Sequence, residues 1–217
     1  MEQRDPKVIT IVSAMFGQNC YLVYRDNRSD CIIIDPGLDW GKIIRKVTHL
    51  GLTPAAILIT HGHADHIAGV EAVKQRWPEA ELVVGKRDAQ KLTDPNLNLS
   101  ADFGFPLTTP PADKLVEDGQ LLEYAGMRIL VREIPGHSEG HVIYLLNDTS
   151  PPNAFVGDVI FAGSVGRTDF PGGDFELLEE GIRSKIYSLP SETQLWPGHG
   201  PPTTVGHEKA HNPFVHG

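Results

Sequence analysis

Short apolar runs separated by turn residues alternate with longer amphipathic segments along the chain. Such short runs, bounded by turn signals, are typical of buried strands. In the first half they predict strands at residues 8–12, 20–24, 31–34, 55–59 and 82–84. In the second half they predict strands at residues 120–123, 127–133, 142–146, 154–156 and 193–196.

The longer segments predict helices at residues 40–50, 67–77, 86–92 and 175–189. The last begins after Asp174, a favoured N-cap residue, and ends at Pro190. Its predicted buried face comprises Leu177, Leu178, Ile182, Ile186 and Leu189. Strands and helices alternate in two similar halves, which predicts an α/β fold in a single domain covering residues 1–217.

Residues 93–113 form a long irregular segment rich in proline, asparagine and threonine. A loop of this length inside a compact domain is usually functional or mobile. It carries Phe103, Phe105 and Leu107, and two interpretations are open. These side chains either cover a pocket or pack into the core.

Composition excludes several classes of protein. The chain has 217 residues, of which 40% are hydrophobic and 22% charged, as in ordinary globular proteins. Its net charge of −9 argues against a nucleic-acid partner. No segment is long and apolar enough for a membrane span, and residues 1–7 lack the apolar core of a signal peptide, so we expect a cytoplasmic protein. Cys20 and Cys31 are expected to be reduced and buried in paired strands.

Three imidazoles and a carboxylate follow the predicted strand at residues 55–59. They belong to His61, His63, Asp65 and His66. Gly62 breaks the strand, so the cluster lies at the strand's carboxyl end, where open α/β sheets place their ligand crevices. Imidazole and carboxylate are ligands that Zn²⁺ and similar ions prefer. The spacing predicts a loop that directs these side chains at two adjacent metal ions.

Three more polar residues stand in glycine-containing turns just after predicted strands. They are His137, Asp158 and His199. Each signal is weak alone, because a single histidine or aspartate in a turn is usually structural. Together they supply enough further ligands to complete two metal sites at one edge of the sheets.

The order of these residues resembles that of the metallo-β-lactamase superfamily, over nearly the whole chain. The resemblance implies an αβ/βα four-layer sandwich, in which two mixed sheets face each other with helices outside. It assigns the first metal site to His61, His63 and His137. It assigns the second to Asp65, His66 and His199, with Asp158 bridging both.

The same resemblance implies two divalent metal ions, with zinc expected first and iron or manganese as alternatives. Such a pair lies roughly 3.5–4 Å apart and activates a water molecule at neutral pH. Asp158 would carry the bridging charge, and Asp65 is the ligand suited to accept a proton from the water. We therefore treat both carboxylates as candidate catalytic residues.

For other polar residues more than one role is open. Asp35 either accepts a ring N–H from a ligand histidine or stabilises its own turn. His141 is expected to support the ligands from behind or to lie on the surface, rather than to bind metal. The remaining candidates, in the polar C-terminal segment, are expected on the surface: His207, His211 and His216.

Residues 163–174, together with 196–204 and 212–214, resemble the short bacterial hydrolases of the glyoxalase II type. This implies a small-molecule thioester substrate, S-D-lactoylglutathione or a related hydroxyacyl thioester, attacked by a metal-bound hydroxide. Arg167 either contacts that substrate or forms a salt bridge with Asp169 or Asp174. The sequence indicates no particular oligomeric state.

Full-length glyoxalase II carries a helical C-terminal domain whose basic residues hold glutathione, and this chain ends at residue 217, shortly after His199. The resemblance therefore leaves the thiol carrier open. Alternative functions are a mononuclear-iron persulfide dioxygenase, a lactone or phosphodiester hydrolase, and a metal-bound module without activity. A β-lactamase is not expected, because no export signal is seen.

Overall fold

Two six-stranded sheets form the centre of the protein, for which a computed structural model describes residues 5–217. The first sheet contains β1 (Lys7–Val12), β2 (Asn19–Tyr24), β3 (Asp30–Ile34), β4 (Thr53–Ile59), β5 (Glu81–Gly85) and β6 (Lys114–Val116). The second contains β7 (Leu121–Tyr124), β8 (Met127–Glu133), β9 (Val142–Leu146), β10 (Asn153–Gly157), β13 (Gln194–Pro197) and β14 (Thr203–Thr204). A separate two-stranded ribbon contains β11 (Ile160–Phe161) and β12 (Ser164–Val165).

Both sheets are mixed, as predicted. In the first, β1 to β3 pair antiparallel, whereas β3 to β6 run parallel. In the second, β10 and β13 are parallel and all other neighbours are antiparallel. Parallel strands require crossover connections, and the helices of the fold supply them.

Alternate side chains of each strand enter different cores, as the two-residue period of a strand requires. Ile32 and Leu58 point between the two sheets, where they meet Tyr144 and Phe155 of the second sheet. Ile33 and Ile57 point to the opposite face of the first sheet, which helices cover. A third cluster lies on the outer face of the second sheet. These three cores separate four layers, which confirms the predicted αβ/βα sandwich.

The helices lie outside the sheets. They are α1 (Trp40–His49), α2 (Ala64–Ile67), α3 (Val70–Arg76), a 3₁₀ helix (Lys86–Leu92), α4 (Phe175–Gly181), a π-helix (Ile182–Ile186) and α5 (Val205–His211). None of the helices among the described residues is long and apolar enough to cross a membrane.

The predicted helix at residues 67–77 is wrong in its bounds, because two short helices, α2 and α3, occupy this region. They part at Gly69, whose N–H donates to the Pro36 carbonyl at 2.7 Å. A β-carbon on Gly69 would lie 2.6 Å from the Gly37 carbonyl oxygen. The tight approach of this turn therefore interrupts the helix, and periodicity alone does not reveal it.

The predicted helix at residues 175–189 is shorter and changes form, since α4 continues into the π-helix and ends at Ile186. Asp174 caps it, accepting from the N–H groups of Glu176 and Leu177. Leu178 is fully buried, but Leu177 is 44% exposed, so its placement on the buried face is wrong. The buried residues Leu178, Ile182 and Ile186 are four positions apart and lie on one side of the helix. Leu177 lies next to that side and faces solvent.

Several elements were not predicted, namely β6, β11, β12, β14 and α5. In the C-terminal segment, the fully buried Glu208 accepts from Thr203 at 2.6 Å, Asn212 at 2.9 Å and the N–H of Gly163 at 2.9 Å. These hydrogen bonds hold the C-terminal segment in place, although its composition indicated a polar tail on the surface. The three histidines of this segment are exposed, as expected.

Residues 93–113 have no regular structure, as expected, but Asn98 holds the segment in place. Its side-chain amide donates to the carbonyls of Lys91 and Leu107, both at 2.9 Å.

Cys20 and Cys31 are buried and free, as predicted. The prediction that residues 1–7 are not a signal peptide concerns a segment of which residues 1–4 lie outside the described part of the chain.

Candidate metal centre

All seven predicted ligands lie at strand ends on the edge where the two sheets meet. His61 and His63 follow β4, as predicted, but Asp65 and His66 lie on the short helix α2 rather than in a loop. His137 follows β8, Asp158 follows β10 and His199 follows β13. Backbone hydrogen bonds join these ends: Val142 N–H donates to the Thr60 carbonyl at 2.8 Å, and Gly198 N–H to the Gly157 carbonyl at 2.8 Å. The loops that carry the side chains are therefore fixed to one another.

One group contains His61, His63 and His137, all buried. The Nε2 of His137 lies 3.0 Å from His63 Nδ1 and 3.2 Å from His61 Nε2. Tetrahedral ligands about 2.0–2.1 Å from a zinc ion would be roughly 3.3 Å apart. The three nitrogens are thus spaced as ligands of one ion.

A second group contains Asp65, His66 and His199. The Asp65 carboxylate lies 3.2 Å from His199 Nε2 and 3.8 Å from His66 Nε2. Asp158 stands between the groups: its Oδ2 is 3.6 Å from Nε2 of both His137 and His199, and its Oδ1 is 3.4 Å from His66 Nε2. This carboxylate reaches both groups.

Most of the histidines are oriented by a hydrogen bond on the ring nitrogen that faces away from the centre. His137 Nδ1 meets the Arg167 carbonyl at 2.7 Å, and His199 Nδ1 meets the Phe16 carbonyl at 3.2 Å. A carbonyl only accepts, so these nitrogens carry the proton and each Nε2 presents a lone pair to the centre. His63 differs, because its Nδ1 is the nitrogen that faces inward.

Asp35 and Thr60 orient two further rings. Asp35 accepts from Thr60 Oγ1 at 2.6 Å and lies 2.9 Å from His66 Nδ1. The Thr60 hydroxyl, having given its proton to Asp35, can only accept from His61 Nδ1 at 3.1 Å. The predicted role of Asp35 as an acceptor for a ligand imidazole is thus present, whereas the sequence did not single out Thr60.

A buried polar cluster behind the first group was also missed. Asp88, fully buried, accepts from the N–H groups of Gly62 and Gly140, both at 2.8 Å. It also accepts from Ser138, at 2.6 Å, and from Lys91, at 3.0 Å. One carboxylate therefore ties together the loop that carries His61 and His63 and the loop that carries His137. Its signal in the sequence, an Asp and a Lys three residues apart on a short helix, is not distinctive.

His141 is fully buried and stacks on His61, with ring centroids 4.7 Å apart. Its Nε2 accepts the N–H of Asp158 at 3.1 Å. The interpretation as a supporting residue therefore agrees with the structure, and the surface position is wrong. Gly157 makes this contact possible, because its φ of +48° suits glycine and a β-carbon there would lie 2.7 Å from His141 Nε2.

The two groups differ in charge. Burial and the neighbouring His137 lower the pKa of His63 to about 3, and burial likewise lowers the pKa of His61 and His137. Burial opposes charge on His66 as well, but the carboxylates of Asp65 and Asp158 raise its pKa well above the usual range. The first group is thus neutral imidazole, the form that binds metals.

The carboxylates of the centre are ionised. Burial tends to raise the pKa of Asp158, but His66 and His137 hold it far below its usual value. The pKa of Asp65 is lowered in the same way by His66 and His199. Two negative charges therefore face five imidazoles in a buried site.

The donor set fits divalent cations. His66 Nε2 and Asp158 Oδ1 are buried, point into the centre and have no hydrogen-bond partner within residues 5–217. Unpartnered buried polar atoms are costly, and a cation would satisfy both. The chemistry is that of the borderline ions, since nitrogen and carboxylate oxygen are the donors.

A cavity of about 370 Å³ opens beside the centre, within the range of small-molecule sites. His63, Asp65 and His199 are among the donor residues that face it, and five phenylalanines, here called the aromatic rim, line much of its wall. The aromatic rim consists of Phe16, Phe103, Phe105, Phe161 and Phe170. Phe103 and Phe105 thus cover a pocket, whereas Leu107 packs against the core, so each interpretation of the 93–113 segment holds in part.

Arg167 lies on the cavity wall but is already paired. Its guanidinium donates two hydrogen bonds to Asp169, at 2.6 and 2.7 Å, and lies 4.1 Å from the centroid of the Phe170 ring. The predicted salt bridge with Asp169 is therefore present.

Comparison with known proteins agrees with this architecture. Residues 15–199 match the metallo-beta-lactamase superfamily. A probable metallo-hydrolase, YqgX of Bacillus subtilis, is 38% identical over 92% of each chain. The hydroxyacylglutathione hydrolase GloC of Haemophilus influenzae is 35% identical over 92% of this chain and 93% of its own.

Solved structures show the same likeness. BLEG-1, described as a B3 metallo-beta-lactamase, superposes with a TM-score of 0.92 at 39% identity, covering 97% of this chain and 100% of its own. TTHA1623, described in a di-iron-bound form, gives a TM-score of 0.83 at 33% identity, covering 96% and 100%. Because both its sequence and its fold match, the chain belongs to the metallo-beta-lactamase superfamily.

Proposed function

We propose that this protein is a metal-dependent thioester hydrolase that acts on S-D-lactoylglutathione or related hydroxyacyl thioesters. The observation that carries the proposal is the convergence of two donor groups, joined by Asp158, beside a cavity of small-molecule size. The hydroxyacylglutathione hydrolase named among the relatives supports the substrate class.

The seven ligands hold two divalent metal ions in this proposal. Zinc is favoured by the three-imidazole group, and iron is the alternative that the di-iron neighbour supports. Metal ions in such a site supply an activated water at neutral pH and polarise a carbonyl. A thiolate is a good leaving group, so the reaction needs no strong acid beside it.

The residues of the chain position the substrate and move its protons. Asp65, whose side chain is 23% exposed, is more accessible from the cavity than Asp158, at 11%. In our proposal Asp65 accepts the proton of the attacking water, and its carboxylate lies 3.2 Å from Nε2 of His199, beside which it would hold the same metal ion. Asp158 stays ionised and compensates the charge of both ions.

The test is hydrolysis of S-D-lactoylglutathione by protein whose metal content has been measured. The proposal predicts about two metal ions per chain and turnover that a chelator abolishes and added metal restores. Absence of turnover of any hydroxyacyl thioester at full metal occupancy would overturn it. A single iron with oxygen-dependent turnover of a persulfide would indicate the dioxygenase instead.

A second candidate is hydrolysis of a β-lactam amide. The observation that favours it is the TM-score of 0.92 to the structure described as a B3 metallo-beta-lactamase. Lactams, lactones and phosphodiesters therefore belong in the same assay, at equal concentration and with the same metal-counted protein. A kcat/KM for a β-lactam above that for every thioester would replace our assignment.

A further inference from the structure

The cavity beside the metal centre is bounded by aromatic side chains from four separate parts of the chain. Phe16 comes from the turn after β1, Phe103 and Phe105 from the 93–113 segment, Phe161 from β11, and Phe170 from the loop after β12. Their convergence is a product of the tertiary fold rather than of a local apolar run.

These rings lie on both sides of the ligands. Phe170 is 5.6 Å from the His63 ring, and Phe161 is 6.1 Å from the His199 ring. Phe103 continues the wall outward, since it lies 6.0 Å from Phe16 and 6.2 Å from Phe105. A substrate whose carbonyl reaches the centre must lie against this wall.

Much of the wall is exposed to solvent. Phe103 is 56% exposed and Phe16 is 36% exposed, although both are large apolar side chains. A contiguous exposed apolar patch in a concave site is characteristic of a surface that a ligand covers. The ligand portion that covers it must itself be apolar, because transfer of apolar surface from water supplies the binding energy.

The charged residues of the cavity also favour an apolar ligand. Among the described residues lining it, Arg167 is the one lysine or arginine, and Asp169 already holds its guanidinium with two hydrogen bonds. The carboxylates Asp65 and Asp158 belong to the metal centre. The anionic groups of a glutathione carrier would therefore find no unpaired cation on this wall, and an unpaired buried carboxylate is costly.

We infer that the cavity selects thioesters by an apolar acyl side chain that packs on the aromatic rim, and not by the charged groups of glutathione. This rests on the proposed function and narrows its substrate class to hydroxyacyl thioesters with an alkyl or aryl side chain. The reaction is simple hydrolysis: water adds across the acyl–sulfur bond, giving a carboxylic acid and a thiol.

The test varies the acyl group and the carrier independently. The acyl series is lactoyl, 2-hydroxybutanoyl and 2-hydroxyhexanoyl, each on glutathione and on the uncharged thiol N-acetylcysteamine. Each added methylene that becomes buried should raise kcat/KM about fourfold. Replacing glutathione by N-acetylcysteamine should change kcat/KM less than about fivefold, the most that a solvent-exposed ion pair usually contributes.

Variants of Phe103 test whether the aromatic rim causes the dependence of kcat/KM on acyl chain length. Phe103→Ala should flatten the chain-length dependence while metal content and melting temperature stay unchanged, and Phe103→Leu should restore much of it. Leu121→Ala is the matched control, since Leu121 is 58% exposed on β7 and outside the cavity lining. Equal chain-length dependence in wild type and Phe103→Ala would overturn the inference.

A preference of more than about tenfold for the glutathione carrier, with no gain from a longer acyl chain, would also overturn it. If no thioester is hydrolysed, the proposed function fails and the inference is decided by binding. Calorimetry with the metal-loaded protein would then show tighter binding of the 2-hydroxyhexanoyl than of the lactoyl thioester of N-acetylcysteamine. Equal affinity would contradict the apolar selection.

Discussion

The residues beneath the ligands and the residues around the cavity mouth are built on opposite principles. Beneath lies a set of buried residues, here called the polar floor, whose hydrogen bonds fix the ligands. The polar floor consists of Asp35, Thr60, Asp88, Lys91, Ser138 and His141. The aromatic rim, by contrast, contributes apolar contacts and is partly exposed, with Phe103 the most open of its rings.

This difference separates two tasks. Hydrogen bonds are directional, so the polar floor sets where His61 and His66 lie and which of their ring nitrogens carries a proton. Apolar contact is non-directional and tolerates changes of shape. Changes in the aromatic rim can therefore alter which substrate binds without disturbing the metal centre. Substitutions in the polar floor should therefore affect metal binding and stability, and those around the mouth should affect substrate choice.

The largest effect is expected at the carboxylate shared by both donor groups. Asp158→Asn removes the negative charge that reaches His137, His66 and His199. We expect a loss of turnover greater than the roughly 100-fold typical for residues that only support a metal ligand. Metal analysis should show fewer than two ions per chain, and circular dichroism should show an intact fold.

Asp26→Asn is the matched control, because Asp26 forms an exposed ion pair with Lys7 far along the sheet. It should keep full metal content and activity. An Asp158→Asn protein that retains both metal ions and turnover would contradict the two-site arrangement.

The next largest effect is expected in the polar floor at Asp88. Asp88→Asn leaves Lys91 as an uncompensated buried charge, which typically costs about 3–5 kcal/mol of unfolding free energy. Because Asp88 also joins the two loops of the first donor group, metal affinity should fall about 10- to 100-fold. Chemical denaturation and competition with a metal indicator would measure the two effects.

The double variant Asp88→Asn/Lys91→Met separates charge from positioning. It removes both charges, so it should recover much of the stability without recovering the metal affinity. Recovery of both would mean that Asp88 acts through charge balance alone.

A smaller effect is expected from removing a single hydroxyl. Thr60→Val deletes the oxygen that accepts from His61 Nδ1 and donates to Asp35. The unpaired ring N–H should cost about 1–3 kcal/mol of stability, and metal affinity should fall about tenfold. Thr60→Ser keeps the hydroxyl and should restore the affinity; equal affinities in the two variants would exclude this role.

The smallest effect is expected at the cavity mouth. Arg167→Ala removes an exposed ion pair with Asp169, which should change stability by less than about 1 kcal/mol. His137 contacts the carbonyl of residue 167 rather than its side chain, so metal content should be unchanged. We expect kcat/KM to stay within about fivefold of wild type; a loss near 100-fold with full metal content would assign substrate binding to the guanidinium.

The candidate ligands could be selected from the sequence because donor side chains stand shortly after predicted strands. A shared edge within one sheet does not by itself bring His61 and His137 together, because β4 and β8 belong to different sheets. The packing of the two sheets against each other places these histidines side by side. Asp88 gave no such indication, because it acquires its role only when Gly62 and Gly140 are brought beside it. The end of α2 at Gly69 was missed for the same reason. It results from close contact with the backbone of Pro36 and Gly37, more than thirty positions earlier in the chain.

The sequence by itself determined the alternation of strands and helices and the types of donor side chain in the centre, because these depend on local periodicity and residue type. The four-layer arrangement was implied by the resemblance to a known family, not by periodicity. The tertiary structure alone decided which buried groups orient those donors and which aromatic rings surround them. His141 illustrates the limit: its spacing from His137 indicates no partner, yet burial leaves its Nε2 to accept from Asp158. Local patterns specify what each residue can do, and long-range packing specifies what it meets.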